Sequence, residues 1–131
     1  MNGKRELLDS NILIYLSRQE LSLADVIKPD TEYSISVVSY MEVFGYPFAR
    51  PAEEELVLEI VSRLEIVDVT LPIAQQTIVN QKRHHVDLPD AIIGATAQVL
   101  DCVLVTRNVD DFKTIEGLKI VNPFESLQQK P

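Results

Sequence analysis

Short apolar segments alternate with longer helical ones along this chain, and that alternation narrows the fold more than any other feature. Val103-Leu104-Val105-Thr106 is a continuous apolar run, the signature of a strand covered on both faces as in a parallel sheet. Arg5-Glu6-Leu7-Leu8 reads as a shorter strand ending at Asp9, and Tyr33-Ser34-Ile35-Ser36 as another. Glu65 to Val69 alternates like a half-buried strand, and Lys119-Ile120-Val121 supplies the last. Between them the period changes. A helix begins near Asn11, one runs from Val37 to Phe44, and one from Ala52 to Leu64 with Leu56, Ile60 and Leu64 on one face. Pro72 opens a helix reaching about His84, and Ala91 to Leu100 is apolar on nearly all sides, so it is expected to be buried. Strands alternating with helices predict an α/β domain with a mainly parallel central sheet. At 131 residues the chain is one domain, with a tail expected to fray from about residue 126.

In such sheets, functional groups gather beyond the carboxyl ends of the strands. Asp9 ends the first strand, and Asn108, Asp110 and Asp111 follow the strand ending at Thr106. The acids therefore matter. The chain carries 20 acidic and 12 basic residues, a net charge of −8, which argues against nucleic-acid binding through a broad basic surface. It is compatible with a nuclease whose acids surround metal ions, because bound cations reverse the local field. No apolar run is long enough to span a bilayer, and the N-terminus has no secretory hydrophobic region, so a cytoplasmic protein is expected. The single Cys102, followed by Val103-Leu104-Val105, reads as a buried small hydrophobe.

Each acid has a structural reading beside the chemical one. Asp9 fits equally as the cap of the helix that follows it. Glu42 sits well inside its helix, among Val38, Met41, Val43 and Phe44, where a buried carboxylate needs a partner. Asp90, with Asp87 as N-cap, is a third helical residue favoured by the helix dipole, yet it heads the most apolar helix. Asp110 and Asp111 fit a turn before Phe112. Taken together, the acids suit Mg²⁺ or Mn²⁺, which prefer carboxylate and water oxygens, and phosphodiester hydrolysis uses such ions. A zinc site is not indicated: there is one Cys, and His84 and His85 are adjacent, reading as solvent-facing at a helix end.

Four segments carry a resemblance. Leu7-Leu8-Asp9-Ser10-Asn11-Ile12-Leu13-Ile14-Tyr15 resembles the opening of PIN-domain proteins, and Ser36 to Val43, with Ser39 three residues before Glu42, their second motif. Leu88-Pro89-Asp90-Ala91-Ile92-Ile93-Gly94-Ala95-Thr96-Ala97 is similar to the third. Leu104-Val105-Thr106-Arg107-Asn108-Val109-Asp110-Asp111-Phe112 is similar to the fourth. The likeness spans about residues 7 to 122 and is strongest to VapC-type toxins of toxin–antitoxin pairs.

The resemblance implies a three-layer α/β/α PIN-like domain and an endoribonuclease holding one or two Mg²⁺ or Mn²⁺ ions. Carried over residue by residue, Asp9, Glu42 and Asp90 are the core ligands and Asp111 the fourth acid, with Asp110 and Asn108 as competitors for that place. Asn11, Ser39 and Thr106 match auxiliary polar positions. It implies an RNA substrate, an antitoxin and a homodimer as well, with Lys82, Arg83 and Arg107 the nearest candidates to touch RNA. Gly45-Tyr46-Pro47-Phe48 and the helix from Ala52 are available as contact surface. Two alternatives stay open: a housekeeping RNA-processing nuclease without an antitoxin, and a non-catalytic PIN-like module that binds RNA or protein. An aspartyl phosphatase is disfavoured, since it wants an acid where Asn11 stands.

Overall fold

The computed structural model describes residues 4–128. Five strands, β1 (Lys4–Leu8), β2 (Thr31–Ser36), β3 (Glu65–Val67), β4 (Val103–Val105) and β5 (Ile120–Val121), form one sheet in the order β3-β2-β1-β4-β5. Every neighbouring pair is parallel. The helices are α1 (Ser10–Ser17), α2 (Leu23–Val26), α3 (Val37–Phe44), α4 (Pro51–Val61), α5 (Leu71–His84), α6 (Leu88–Leu100), α7 (Val109–Phe112) and α8 (Pro123–Gln128). The expected three-layer α/β/α arrangement is present.

Successive strand side chains point to opposite faces, and the two central strands divide the core accordingly. Leu8 and Val105 join Ile12, Leu13 and Leu16 of α1, Val43 of α3 and Val57, Ile60 and Val61 of α4 on one face. Leu7 and Leu104 meet Ala91, Ile93 and Ala97 of α6 and Phe112 of α7 on the other. Strands apolar at every position are thus buried on both sides, as the run at Val103 requires. Helix α5 packs against α6 through the buried Asn80, which donates to the Ala91 carbonyl at 3.2 Å and to Gln98 Oε1 at 2.9 Å.

Three expectations change. The strand at Glu65 is shorter than its alternation suggested and is largely exposed, because β3 lies at the sheet edge. Helix α4 stops at Val61, and its core face is Val57, Ile60 and Val61; Leu56 and Leu58 are exposed. The short helices α2 and α7 were not legible from periodicity, since four residues make barely one turn. Helix α8 continues to Gln128, into the tail expected to fray from about residue 126, and residues 129–131 lie outside the described residues.

The strand order fixes where a site can form. From β1 the chain winds outward through β2 to β3, and the later strands β4 and β5 lie on the opposite side. The crevice between the ends of β1 and β4 is therefore the point where the winding reverses, the position at which open α/β sheets bind ligands. Helix α7, which follows β4, is anchored beside that crevice by Phe112, a fully buried side chain.

Replacing Phe112 by Ala is expected to lower the unfolding free energy by about 3–5 kcal/mol, the usual cost of emptying a buried aromatic site. Urea denaturation of the two proteins checks it; a loss below about 1 kcal/mol would mean that α7 is not held by this ring.

Candidate active site

At the reversal point, Asp9 is the N-cap of α1, with extended backbone, and its own N–H continues the sheet by donating to the Val105 carbonyl at 3.0 Å. Its side chain is 4% exposed. Oδ1 accepts from the Ser10 backbone N–H at 2.8 Å; Oδ2 accepts from the Thr106 hydroxyl at 2.8 Å and from Asn11 Nδ2 at 3.2 Å. Thr106 in turn accepts from the Asn108 N–H at 3.0 Å, and Asn11 Oδ1 accepts from the Arg107 N–H at 3.3 Å. Two segments almost a hundred residues apart are tied together by one carboxylate and its donors. The expected auxiliary positions Asn11, Thr106 and Asn108 are thus joined to Asp9. The capping role of this residue is present, and the same carboxylate ties the end of β1 to the segment after β4.

The other acids arrive on different elements. Glu42 lies on α3, whose N-cap Ser36 accepts from the Val38 N–H at 3.1 Å. Its side chain is exposed, not enclosed among the apolar residues around it. Burial of part of the group raises its pKa, the nearby Ser10 hydroxyl pulls it partly back, and the charge of Asp9 pushes it up again. Asp90 is the third residue of α6, behind the N-cap Asp87 and Pro89. Partial burial pushes its carboxyl up to about 6, and the charges acting on it, Asp111, Asp9, Glu42 and Asp87, are all negative. Burial also raises the pKa of Asp9, against its donors Thr106, Ser10 and Asn11 and with the charge of Asp111.

These couplings bring Asp9, Glu42, Asp90 and Asp111 into one electrostatic group. They distinguish the two acids of α7. Asp111 acts on both Asp9 and Asp90, whereas Asp110 turns outward and pairs with Lys113 Nζ at 3.0 Å. Asn108 is the N-cap of α7 and makes no side-chain cap bond. Ser39 Oγ is fully buried and has no hydrogen-bond partner among the described residues.

A neighbourhood of carboxylates with no countercharge acting on Asp90 fits a divalent cation chemically, because the donors are hard oxygens. Among the described residues, no three or more His, Cys, Asp or Glu side chains are grouped to hold an ion as they stand.

Lys82 and Arg83 lie exposed in the last turn of α5, which a short connection joins to the Asp90 end of α6. His85 ends α5 with a left-handed backbone and is exposed, as expected of a solvent-facing helix end, and Cys102 is buried. Asp87, which the sequence marked only as an N-cap, and Ser10 are additions from the structure: the Asp87 charge raises the pKa of Asp90, and the Ser10 hydroxyl lowers that of Glu42. A larger hollow of about 820 Å³, between α2, α4 and the β2–β3 edge, contains none of the four acids. No helix among the described residues is long and apolar enough to cross a membrane.

A parallel five-stranded sheet covered by helices on both faces, with the strand order reversing beside β1, defines a class, and the chain belongs to the PIN domain family, whose model matches residues 7–118. It is similar to Ribonuclease VapC10 of Mycobacterium tuberculosis, with 33% identity over 121 residues covering 86% of this chain and 90% of that protein. Among solved structures it is similar to a toxin–antitoxin complex from Klebsiella pneumoniae, with 32% identity, a TM-score of 0.69, and coverage of 90% of this chain and 97% of that one. DNA-bound VapBC from Salmonella typhimurium overlays with a TM-score of 0.76 at 25% identity, covering 92% of this chain and 98% of that one.

The raised carboxyls set a pH dependence. Asp90 has a folded pKa of about 6, above the value near 3.8 of the free group, so between those values the folded state binds more protons than the unfolded one. Without divalent ions, the contribution of Asp90 to stability is expected to fall as pH rises from about 4 to about 6, then level off. Thermal unfolding in chelator across that range checks it. Asp90→Asn should flatten the slope and raise the melting temperature at pH 7; identical pH profiles for the two proteins would contradict the coupling.

Proposed function

We propose that this chain is a divalent-metal-dependent endoribonuclease and the toxin of a toxin–antitoxin pair. The observation that carries the reading is that four carboxylates stand on four separate elements, with the charges of Asp111, Asp9 and Glu42 all acting on Asp90. Four carboxylates that repel one another are a standing cost to folding unless cations reward it. The kinship with a protein named a ribonuclease, and with toxin–antitoxin complexes, supports RNA as substrate and a protein antitoxin as partner.

In this reading Asp9, Glu42, Asp90 and Asp111 would hold Mg²⁺ or Mn²⁺. The ion would neutralise charge at the scissile phosphate and make water nucleophilic at neutral pH. The chain supplies the geometry. Thr106, Asn11 and the Ser10 N–H spend their donors on Asp9, which fixes its carboxylate plane and leaves it little rotational freedom. Asp90, whose carboxyl is pushed up to about 6 without a cation, would be an anionic ligand with one bound. Glu42 and Asp111, both exposed, are free to swing inward. Asn108, at the head of α7, is placed to orient a water or a phosphate oxygen.

RNA cleavage should require Mg²⁺ or Mn²⁺ and stop in EDTA. Asp9→Asn should nearly abolish cleavage while the protein stays folded, since Asn caps a helix about as well as Asp. Full activity in that variant would return Asp9 to a purely structural role. In the α7 pair, Asp111→Asn should lower the cleavage rate at least tenfold, about 1.4 kcal/mol of barrier, and Asp110→Asn should be nearly silent. Rates compared over a range of Mn²⁺ concentrations separate weakened ion binding from a slower reaction. The opposite ranking of the two variants would overturn the assignment of the fourth acid.

A further inference from the structure

Arg107 follows the residue that grips Asp9, and its side chain is held in an unusual way. The guanidinium carbon lies 4.0 Å from the centre of the Phe124 ring and 5.0 Å from that of Tyr15. The two rings themselves meet edge to face at 4.9 Å. Tyr15 comes from α1 and Phe124 from α8, so the aromatic seat is assembled from both ends of the chain. The backbone N–H of Arg107 donates to Asn11, which fixes the root of the side chain as well. Among the described residues Arg107 has no carboxylate partner within ion-pair distance.

A guanidinium stacked on rings keeps its five N–H groups directed outward in its own plane. Stacking also removes much of the rotamer freedom that a long side chain loses on binding. Arg107 is therefore an immobilised, unpaired cation, a few residues along the chain from Asp111. The two line the same cavity of about 460 Å³ between α7 and the start of α8, together with Asn108, Asp110, Asn122 and Glu125. That volume lies within the range of about 300–1,000 Å³ usual for ligand clefts. A planar fork with free donors suits a phosphate diester, which it can bind through two oxygens.

We propose that the Tyr15–Phe124 seat presents Arg107 to a backbone phosphate of the RNA next to the one that is cut, so that the α7–α8 cavity is the track along which the substrate strand leaves the acidic crevice. This rests on the ribonuclease reading above. It answers a difficulty that reading raises: a chain of net charge −8 with an acidic site has to hold a polyanion by a few well-placed cations. Glu125, on the same cavity, opposes the anion and sets the limit of the track.

The test separates holding from cutting. With a short single-stranded RNA and Mn²⁺, Arg107→Ala should raise KM about tenfold and leave kcat within about twofold. Binding is read in the Asp90→Asn background, which prevents cleavage. There, Arg107→Ala should make the slope of log affinity against log salt shallower by about 0.7, the loss of one phosphate contact on a single strand. Arg107→Lys should keep the slope and recover part of the KM. Phe124→Leu preserves an apolar side chain against the core and removes the ring; it should raise KM less than Arg107→Ala does, and should add nothing to it in the double variant. Glu125→Gln should lower KM. If the wild type cuts RNA but Arg107→Ala moves neither KM nor the salt slope, this inference falls and the nuclease reading stands, even if binding of a protein partner is weakened. If kcat falls with KM unchanged, Arg107 belongs to the cleavage step and the inference is overturned. If the wild type cuts no RNA under any metal, both fall.

Discussion

The hydrogen bond from the Thr106 hydroxyl to Asp9 closes the crevice between the first and fourth strands, and the rest of the site hangs on it. It joins residues 97 positions apart in the chain at 2.8 Å, in an environment with almost no water. A carboxylate at such a place is costly unless its oxygens are satisfied, and here three donors converge on it. The same contact orients the segment Arg107–Asn108 through the Asn11 side chain and the Thr106 oxygen. It adds a side-chain tie to the backbone pairing of β1 with β4 and to the burial of Phe112, which hold α7 beside the end of β1.

The electrostatics work against the fold that creates them. Satisfying Asp9 with hydrogen bonds lowers its pKa, yet burial and neighbouring acids outweigh that gain. Asp90 is worse placed, since its neighbours are carboxylates and none supplies a positive charge. The hydrophobic core on both faces of the sheet has to outweigh this repulsion. It is well suited to do so, because the side chains at the site ends of β1 and β4 are apolar and the anchoring Leu7, Leu8, Leu104 and Phe112 are fully buried. Stability is concentrated directly beneath the groups that undermine it, the arrangement expected where function needs unneutralised charge.

Much of this organisation was legible in the residues. The strand at Val103, the helix from Val37 to Phe44 and the apolar helix behind Asp90 were readable because their burial patterns are strong and local. Asp9, Glu42 and Asp90 were readable as candidates because each ends a strand or sits on a helix whose period is clear, and Asp111 because it closely follows the strand ending at Thr106. Other features were not. Whether α4 turned Leu56 or Val57 inward depended on the surface it met, since both rows are apolar. The edge position of β3 was a matter of strand order, which alternation does not encode. Glu42 looked enclosed among apolar neighbours in sequence, but a helix puts Met41, Val43 and Phe44 on other sides and leaves only Val38 on its own face, so the residue is exposed.

The sequence by itself determined the alternation of strand and helix, the parallel sheet that follows from it, and the chemical type of every group at the site. Those properties depend on local periodicity and on what each side chain is. The tertiary structure alone decided which acids meet, that Asp111 rather than Asp110 couples to Asp9 and Asp90, and that Arg107 rests on rings contributed by α1 and α8. The reason is physical: coupling between charges and stacking between rings both weaken with distance, and only the closed fold sets Asp9, Glu42 and Asp111 where their charges act on Asp90 and lays Arg107 against Tyr15 and Phe124.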